Sequence, residues 1–481
     1  MAAETLLSFP PDDVATLSPK KYDDLMTKYL KSLDKLAKTW TVSIGKKNIL
    51  DLLSPEVNSI PYLLALNDQI KTAGKSIDET HLTLAASFLT TFDPVQVRYV
   101  GEDFRELVCF VLECAPQAGA DYLVAVTTGL LRLDPTAGTF TSMHLLLVRA
   151  CLQASMPSLA LPILDKDIYA YPAESQKNVP EDLLSEDLEL SNSFITAKSA
   201  FSHKLKSDFI LEYYLHGAQV YIGLRNYDRA RLFLEYILLT PTIQHATSML
   251  QVEAYQKWAM VGLLAQGKTF PLPRTLDSSV TKSIRAVGKP YDALAESFER
   301  RNWRKYQAEM EVGTQQWHGD GNFRLVQEAA SALLRYRVID LQKTYAALPV
   351  GRVATHLEFT SDETLTLLSE MIRSGLLNAS ITPAQNNTTA DAVLRFHFTA
   401  PTTVSSTAGG NLELELQTQR IESLVSSIRD ADRRLQLSKE YVEYQKRQKR
   451  SGPDAADLAD QMDLSYDNPI EMGGDEDIMA G

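Results

Sequence analysis

With 481 residues, 44% of them hydrophobic, the chain has room for roughly two to three domains of about 150 residues each, which excludes a wholly disordered polymer. Its formal charge is −13, yet residues 451–481 hold nine acidic side chains (Asp454, Asp457, Asp460, Asp463, Asp467, Glu471, Asp475, Glu476, Asp477) and no Lys or Arg. The other 450 residues therefore carry only about −4, a near-balance that excludes a bulk pull toward nucleic acid or an anionic membrane.

The first ten residues lack a basic segment followed by a long apolar one, so no secretory signal is expected. No window reaches the ~18 uninterrupted apolar residues of a membrane span. Cys109, Cys114 and Cys151 sit among apolar neighbours, as buried thiols of a reducing, intracellular compartment do. The formal glycosylation sequons at Asn378, Asn386 and Asn387 then read as chance matches.

From the N-terminus the apolar spacing predicts helix almost throughout. Tyr22 to Trp40 reads as one amphipathic helix, with Leu25, Tyr29, Leu33, Leu36 and Trp40 on its buried stripe. Further helices are expected over Val57 to Lys71, Asp78 to Thr90, Glu102 to Glu113 and Asp121 to Arg132. Ser54-Pro55, Asp93-Pro94 and Asp134-Pro135 punctuate them. No strand–helix alternation appears, which leaves little room for a parallel sheet and the nucleotide sites such sheets support.

An internal repeat is clearest at 214–241. Tyr214, Gly217, Ala218, Tyr221, Ala230 and Leu234 occupy the large, small, small, aromatic and packed-Ala offsets of a tetratricopeptide-like helix pair, with Asn226-Tyr227-Asp228 as its turn. A weaker copy runs through His144, Leu147, Val148, Cys151, Ala160 and Leu164. Such pairs cannot bury both faces alone, so an α-solenoid is expected. Between the copies, Tyr171 to Asn192 reads as a surface loop.

Gly262 to Thr269 formally matches a phosphate-binding loop. A working one must follow a strand and open a helix; this stretch ends the apolar helix of Tyr255, Trp258, Ala259 and Leu263 and runs into Phe270-Pro271-Leu272-Pro273. It reads as a helix C-terminus at Gly267. Phe270 to Ser279 is a break, Pro290 to Met310 resumes helix, and Trp317 to Asn322 is a turn.

Leu334, Val338, Leu341, Tyr345 and Leu348 then predict a core-facing helix, with Pro349 as the first residue of the next one, which carries Val350, Val353 and Leu357. Ser361 is the expected N-cap of a third helix burying Leu365, Leu368, Ile372 and Leu376, and Gly375 closes it. The period then drops to two. Leu377, Ala379 and Ile381, and after a polar loop Leu394, Phe396 and Phe398, alternate with polar residues. Three helices followed by a two-stranded hairpin make a winged helix. Its third helix offers Asp362, Glu363 and Glu370 against one Arg373, and its wing has no Lys or Arg, so phosphate-tracking DNA readout is not expected.

A flexible linker is expected at 400–411. Leu412, Leu416, Leu424, Ile428, Leu435 and Val442 mark a helix to about Gln448 whose apolar stripe calls for partner helices. Lys446 to Arg450 reads as its solvated basic end. The eight histidines are never closer than 13 residues, so no local zinc signature exists, and no nucleophile motif is present. No cofactor is expected.

A helical-repeat array running into a winged helix and a long terminal helix resembles the PCI-domain family, whose members serve the proteasome lid, the COP nine signalosome and translation initiation factor three. Leu211 to Ala230, Thr240-Pro241, Glu253 to Lys257, Leu341 to Tyr345 and Met371 to Gly375 resemble in particular the family of the signalosome's third subunit. The resemblance implies a mainly α fold: a solenoid over 1–325, the winged helix of the PCI domain over 326–399, a linker at 400–411, a bundle helix at 412–449 and an acidic disordered tail at 450–481. It implies a non-catalytic scaffold in the complex that removes the ubiquitin-like modifier NEDD8 from cullins, located in cytoplasm and nucleus. Its partners would be other PCI subunits and the metalloprotease subunit, and indirectly cullin-RING ligases, with no nucleic acid and no membrane. Partner contacts are expected through the sheet shaped by Ala379, Ile381, Leu394, Phe396 and Phe398, and through Leu416, Leu424, Ile428 and Leu435. The proteasome lid is the alternative assembly, and a solitary nucleic-acid-binding winged-helix protein is the alternative of another class. The polar wing insert Asn386 to Ala390 departs from the family pattern.

Overall fold

The computed structural model describes residues 6–11, 17–36, 48–74, 79–174, 183–241 apart from 187 and 189, 247–383, 389–397 and, in part, 418–445. The chain forms two units, Met1–Thr399 and Ala400–Gly481. The first is almost entirely helical, as its apolar spacing requires, and carries one small sheet.

Its array begins with α1 (Pro19–Leu36), α2 (Ser59–Ala73), α3 (Glu79–Thr91), the single turn α4 (Pro94–Val97), α5 (Gly101–Ala118), α6 (Ala120–Leu133) and α7 (Ser142–Gln153). After the one-turn α8 (Leu161–Leu164) come α9 (Ser207–Gly223), α10 (Tyr227–Leu239), α11 (Met249–Gln266) and α12 (Ser278–Glu299). Then follow α13 (Trp303–Val312), α14 (Thr314–Gly319) and α15 (Phe323–Gln342). From α9 to α13 each helix packs chiefly on its neighbours in sequence, the signature of a stacked solenoid. One continuous apolar core runs from Leu6 to Ile284, and a second gathers Tyr291, Phe298, Tyr306, Trp317 and Leu333.

The repeat at 214–241 is realised by α9 and α10. Asn226 caps α10 by accepting from the Arg229 amide at 3.3 Å. Gly217 lets the helices close: a Cβ there would stand 2.5 Å from Cε1 of Phe233. Ala218, Tyr221, Ala230 and Leu234 are buried while Tyr214 is half-buried. In the weaker copy all six residues are buried, but the second helix shrinks to the turn α8, because Pro157 and Pro162 leave too few amides for a longer ladder. His144 serves the cap of α7, its Nδ1 accepting from the Thr141 amide at 3.1 Å. Burial pushes its imidazole down to about 4, so it is neutral in the fold.

Several expectations are corrected. In α1 the buried stripe is Tyr22, Met26, Tyr29 and Leu33, and Leu25 is exposed; Trp40 lies outside the described residues. Helix does not resume at Pro290. Instead α12 passes through it from Ser278, because Val280, Ile284, Gly288, Tyr291, Leu294 and Phe298 form one uninterrupted buried stripe. Trp317 belongs to α14, and its indole Nε1 donates to the Met310 carbonyl at 3.0 Å.

The winged portion differs most. The helix predicted through Leu348 ends at Gln342: Tyr345 is exposed, and Leu348 lies in β1 (Ala347–Pro349). The hairpin strands β2 (Ala379–Thr382) and β3 (Val393–Phe396) therefore belong to a three-stranded antiparallel sheet in the order β1-β3-β2. Pro349 is the residue before α16 (Val350–Leu357) rather than its first. Thr360, and not Ser361, caps α17 (Ser361–Arg373) in a reciprocal box with Glu363. The buried face is Thr364, Leu368 and Met371, with Leu365 and Ile372 half-buried and Leu376 exposed. Gly375, at φ +71°, ends the turn as expected.

Candidate partner-binding surfaces

The sheet is held at both sides of β3. Leu394 pairs with Leu348 of β1 and with Ile381 of β2, and Phe396 pairs with Ala379. Leu394, Phe396 and Ala379 are buried and Ile381 is half-buried, so these side chains shape the core beneath the sheet. Phe398 lies outside the described residues. Because β3 is central, the edges belong to β1 and β2. β1 is three residues long and ends in Pro349, which has no amide to offer. β2 is the better template for an added strand, its ladder extended by the His397 amide on the Asn378 carbonyl at 2.9 Å.

In the second unit the described residues between 418 and 445 are helical. Ile421 (61% exposed), Leu424 (57%), Val425 (40%), Ile428 (66%) and Leu435 (54%) recur at three, four and seven residues, one stripe of a helix open to solvent. Scattered exposed leucines are ordinary, but a contiguous apolar stripe marks an interaction surface. Leu416, like the acidic tail and the basic residues 446–450, lies outside the described residues.

Other chemistry can be tested on the same structure. Among the described residues no group of three His, Cys, Asp or Glu could hold a metal ion, and no helix is long and apolar enough to cross a membrane. The formal phosphate loop is the end of α11: Gly267 takes the left-handed conformation at φ +72° and returns its amide to Leu263. Residues 268–270 fold back over Gly262, where a Cβ would stand 2.9 Å from the Lys268 carbonyl. On α17, Asp362, Glu363 and Glu370 are exposed beside Arg373. The Thr360 hydroxyl and amide hold the Glu363 carboxyl below its usual range, which keeps this face negative where a groove-reading helix needs cations.

One feature without any warning in the sequence is a small cavity between α8's trailing turn and the α9–α10 pair, lined by Lys166, Asp167, Tyr213, Tyr214, Arg229 and Tyr236 among others. Its residues come from three separate stretches, so no spacing rule could have assembled it.

The profile of the family described as COP9 signalosome complex subunit 3, N-terminal helical repeats, matches residues 19–280. A COP9 signalosome complex subunit 3 of Emericella nidulans is 34% identical over 359 residues, 71% of each chain. One from Neurospora crassa is 26% identical over 461 residues, 91% of this chain and 90% of that one. Another from Dictyostelium discoideum is 22% identical over 468 residues, 95% and 98% of the two chains. The repeat match spans more than half of a chain whose α9–α10 pair and neighbours stack as that description requires, and the chain belongs to the COP9 signalosome subunit 3 family.

Proposed function

We propose that this protein is a non-catalytic scaffold subunit of the COP9 signalosome, the complex that removes a ubiquitin-like modifier from cullins. Its solenoid sets the spacing of the assembly. The edge of β2 accepts a strand of a neighbouring winged helix, and the stripe of Leu424, Ile428 and Leu435 enters a bundle of partner helices. The partners are other subunits of PCI type and the metalloprotease subunit, in cytoplasm and nucleus. The observation that carries the reading is the solvent-exposed apolar stripe of the terminal helix, in a chain of a family named for a complex.

Affinity purification of the tagged full chain with identification of its partners tests it. Signalosome subunits in stoichiometric amounts are the expected result. Recovery of proteasome-lid subunits instead would move the same architecture to that complex, and recovery of the chain alone would overturn the proposal.

A further inference from the structure

The cavity at α9–α10 is small, about 30 Å³, room for roughly two water-sized groups and so for one small polar group rather than a whole ligand. At its wall stands Tyr213, 1% exposed, whose hydroxyl has no hydrogen-bond partner. Arg229, Tyr214 and Tyr221 are the charged and polar groups within electrostatic reach of that hydroxyl. A buried hydroxyl left unpaired costs about 1–3 kcal/mol, and Tyr213 is both such a residue and part of the cavity wall.

The charges around the opening define what that occupant is. Lys166 is exposed and makes no ion pair with the described residues. Arg229 is positioned by the Tyr221 side chain and the rings of Tyr221 and Phe233, donates to the Leu164 carbonyl at 3.2 Å, and stands 3.6 Å from the Asp167 carboxylate, a long ion pair. Asp165, the other nearby acid, is engaged by the Tyr221 hydroxyl at 2.7 Å and does not line the cavity. The lining thus carries two cations against one anion, a net charge of one positive that matches a single carboxylate better than a doubly charged phosphate. Tyr236, 43% exposed, and half-buried Tyr214 supply an aromatic rim against which a side chain could lie.

We propose that this cavity binds one carboxylate, delivered by an acidic side chain of a partner peptide or by a free small acid, with the Tyr213 hydroxyl and the Arg229 guanidinium as its donors and Lys166 at the mouth. Asp167 is then the internal competitor that the incoming carboxylate displaces from Arg229.

The test is calorimetric titration of the full chain with an acetylated, amidated triglutamate peptide, its triglutamine counterpart and sodium acetate. The glutamate peptide should bind at least tenfold tighter than the glutamine one. Tyr213→Phe should abolish that preference while leaving the melting temperature unchanged or raised, because it removes an unpaired hydroxyl and no native contact. Lys166→Gln should weaken binding severalfold, and Asp167→Asn should strengthen it. Competition by acetate at similar concentration identifies the free acid as a sufficient ligand; its failure to compete identifies the peptide. Equal affinity for the two peptides, no heat with either, preference for a lysine peptide, or a glutamate preference that survives Tyr213→Phe would each overturn the assignment.

Discussion

Gly217→Ala measures how tightly the repeat pair is closed. The added Cβ would stand 2.5 Å and 2.7 Å from two ring carbons of Phe233 and 3.0 Å from a methyl of Leu164, against an optimum of about 3.5–4.0 Å between carbons. Phe233 cannot swing aside. Its ring is 3% exposed and is boxed by Tyr214 at 5.3 Å and Tyr221 at 5.1 Å between centroids. Alanine gains about 1 kcal/mol of helix propensity over glycine, while overpacking a dense core costs about 1–3 kcal/mol. With more than half an ångström of overlap on two ring atoms the cost belongs near the upper end. The net expectation is a loss of about 1–2 kcal/mol, a drop of about one to two degrees in melting temperature for a unit of this size. Differential scanning calorimetry of Gly217→Ala, Phe233→Leu and the double variant reads it directly. The smaller residue at 233 should relieve the clash, so the double variant should be more stable than the two single losses added together. A Gly217→Ala chain as stable as the parent, or strictly additive losses, would refute the close-packed reading of α9 and α10.

The remaining predictions concern a buried base, a cap and the small sheet. His144 is neutral in the fold, with its proton affinity lowered by burial to about 4 from an ordinary 6.5. Because the unfolded chain binds that proton first, stability is full above about pH 6.5 and falls as the pH drops toward 4, by about 3 kcal/mol across the window. Urea melts of the parent and of His144→Gln, which keeps an acceptor for the Thr141 amide, should show the slope in the former and lose it in the latter. Thr360→Ala removes the cap of α17 and should cost about 1 kcal/mol, seen as earlier amide exchange in that helix; unchanged exchange would count against the capping box. Leu394→Ala, on a fully buried side chain of the central strand, should cost about 2–5 kcal/mol and loosen the winged portion before the solenoid by limited proteolysis.

The helical array was legible because its apolar stripes repeat over many turns: α2, α3, α5 and α6 fall within a few residues of their expected bounds. The winged portion was harder for a specific reason. Leu348 continues the helical spacing of Leu341 and Tyr345, but the pairing of Leu348 with Leu394 is a long-range fact, and a three-residue strand has no period of its own to read. Thr360 and Ser361 are both competent caps, but only Thr360 has a glutamate three residues on, Glu363, to close the reciprocal box, a local signal present in the sequence. At Pro290 the ring interrupts the local hydrogen-bond ladder while the apolar stripe continues on both sides, and burial prevailed over the breaker. Of the residues expected to meet partners, Leu424, Ile428 and Leu435 are exposed, whereas Leu394 and Phe396 are interior and can act only through the sheet they support. The Tyr213 cavity was illegible altogether, since its donors are neighbours only after α9 and α10 have folded against the turn at residues 165–168.

The central claim is that an apolar stripe on the terminal helix is covered by other subunits. Co-expression of a tagged Leu424→Asp, Ile428→Asp chain with its assembly, followed by native mass spectrometry, tests that claim most directly. The account predicts a folded chain with the parent's circular dichroism and melting temperature that no longer enters the complex. A doubly substituted chain incorporated as fully as the parent would contradict it.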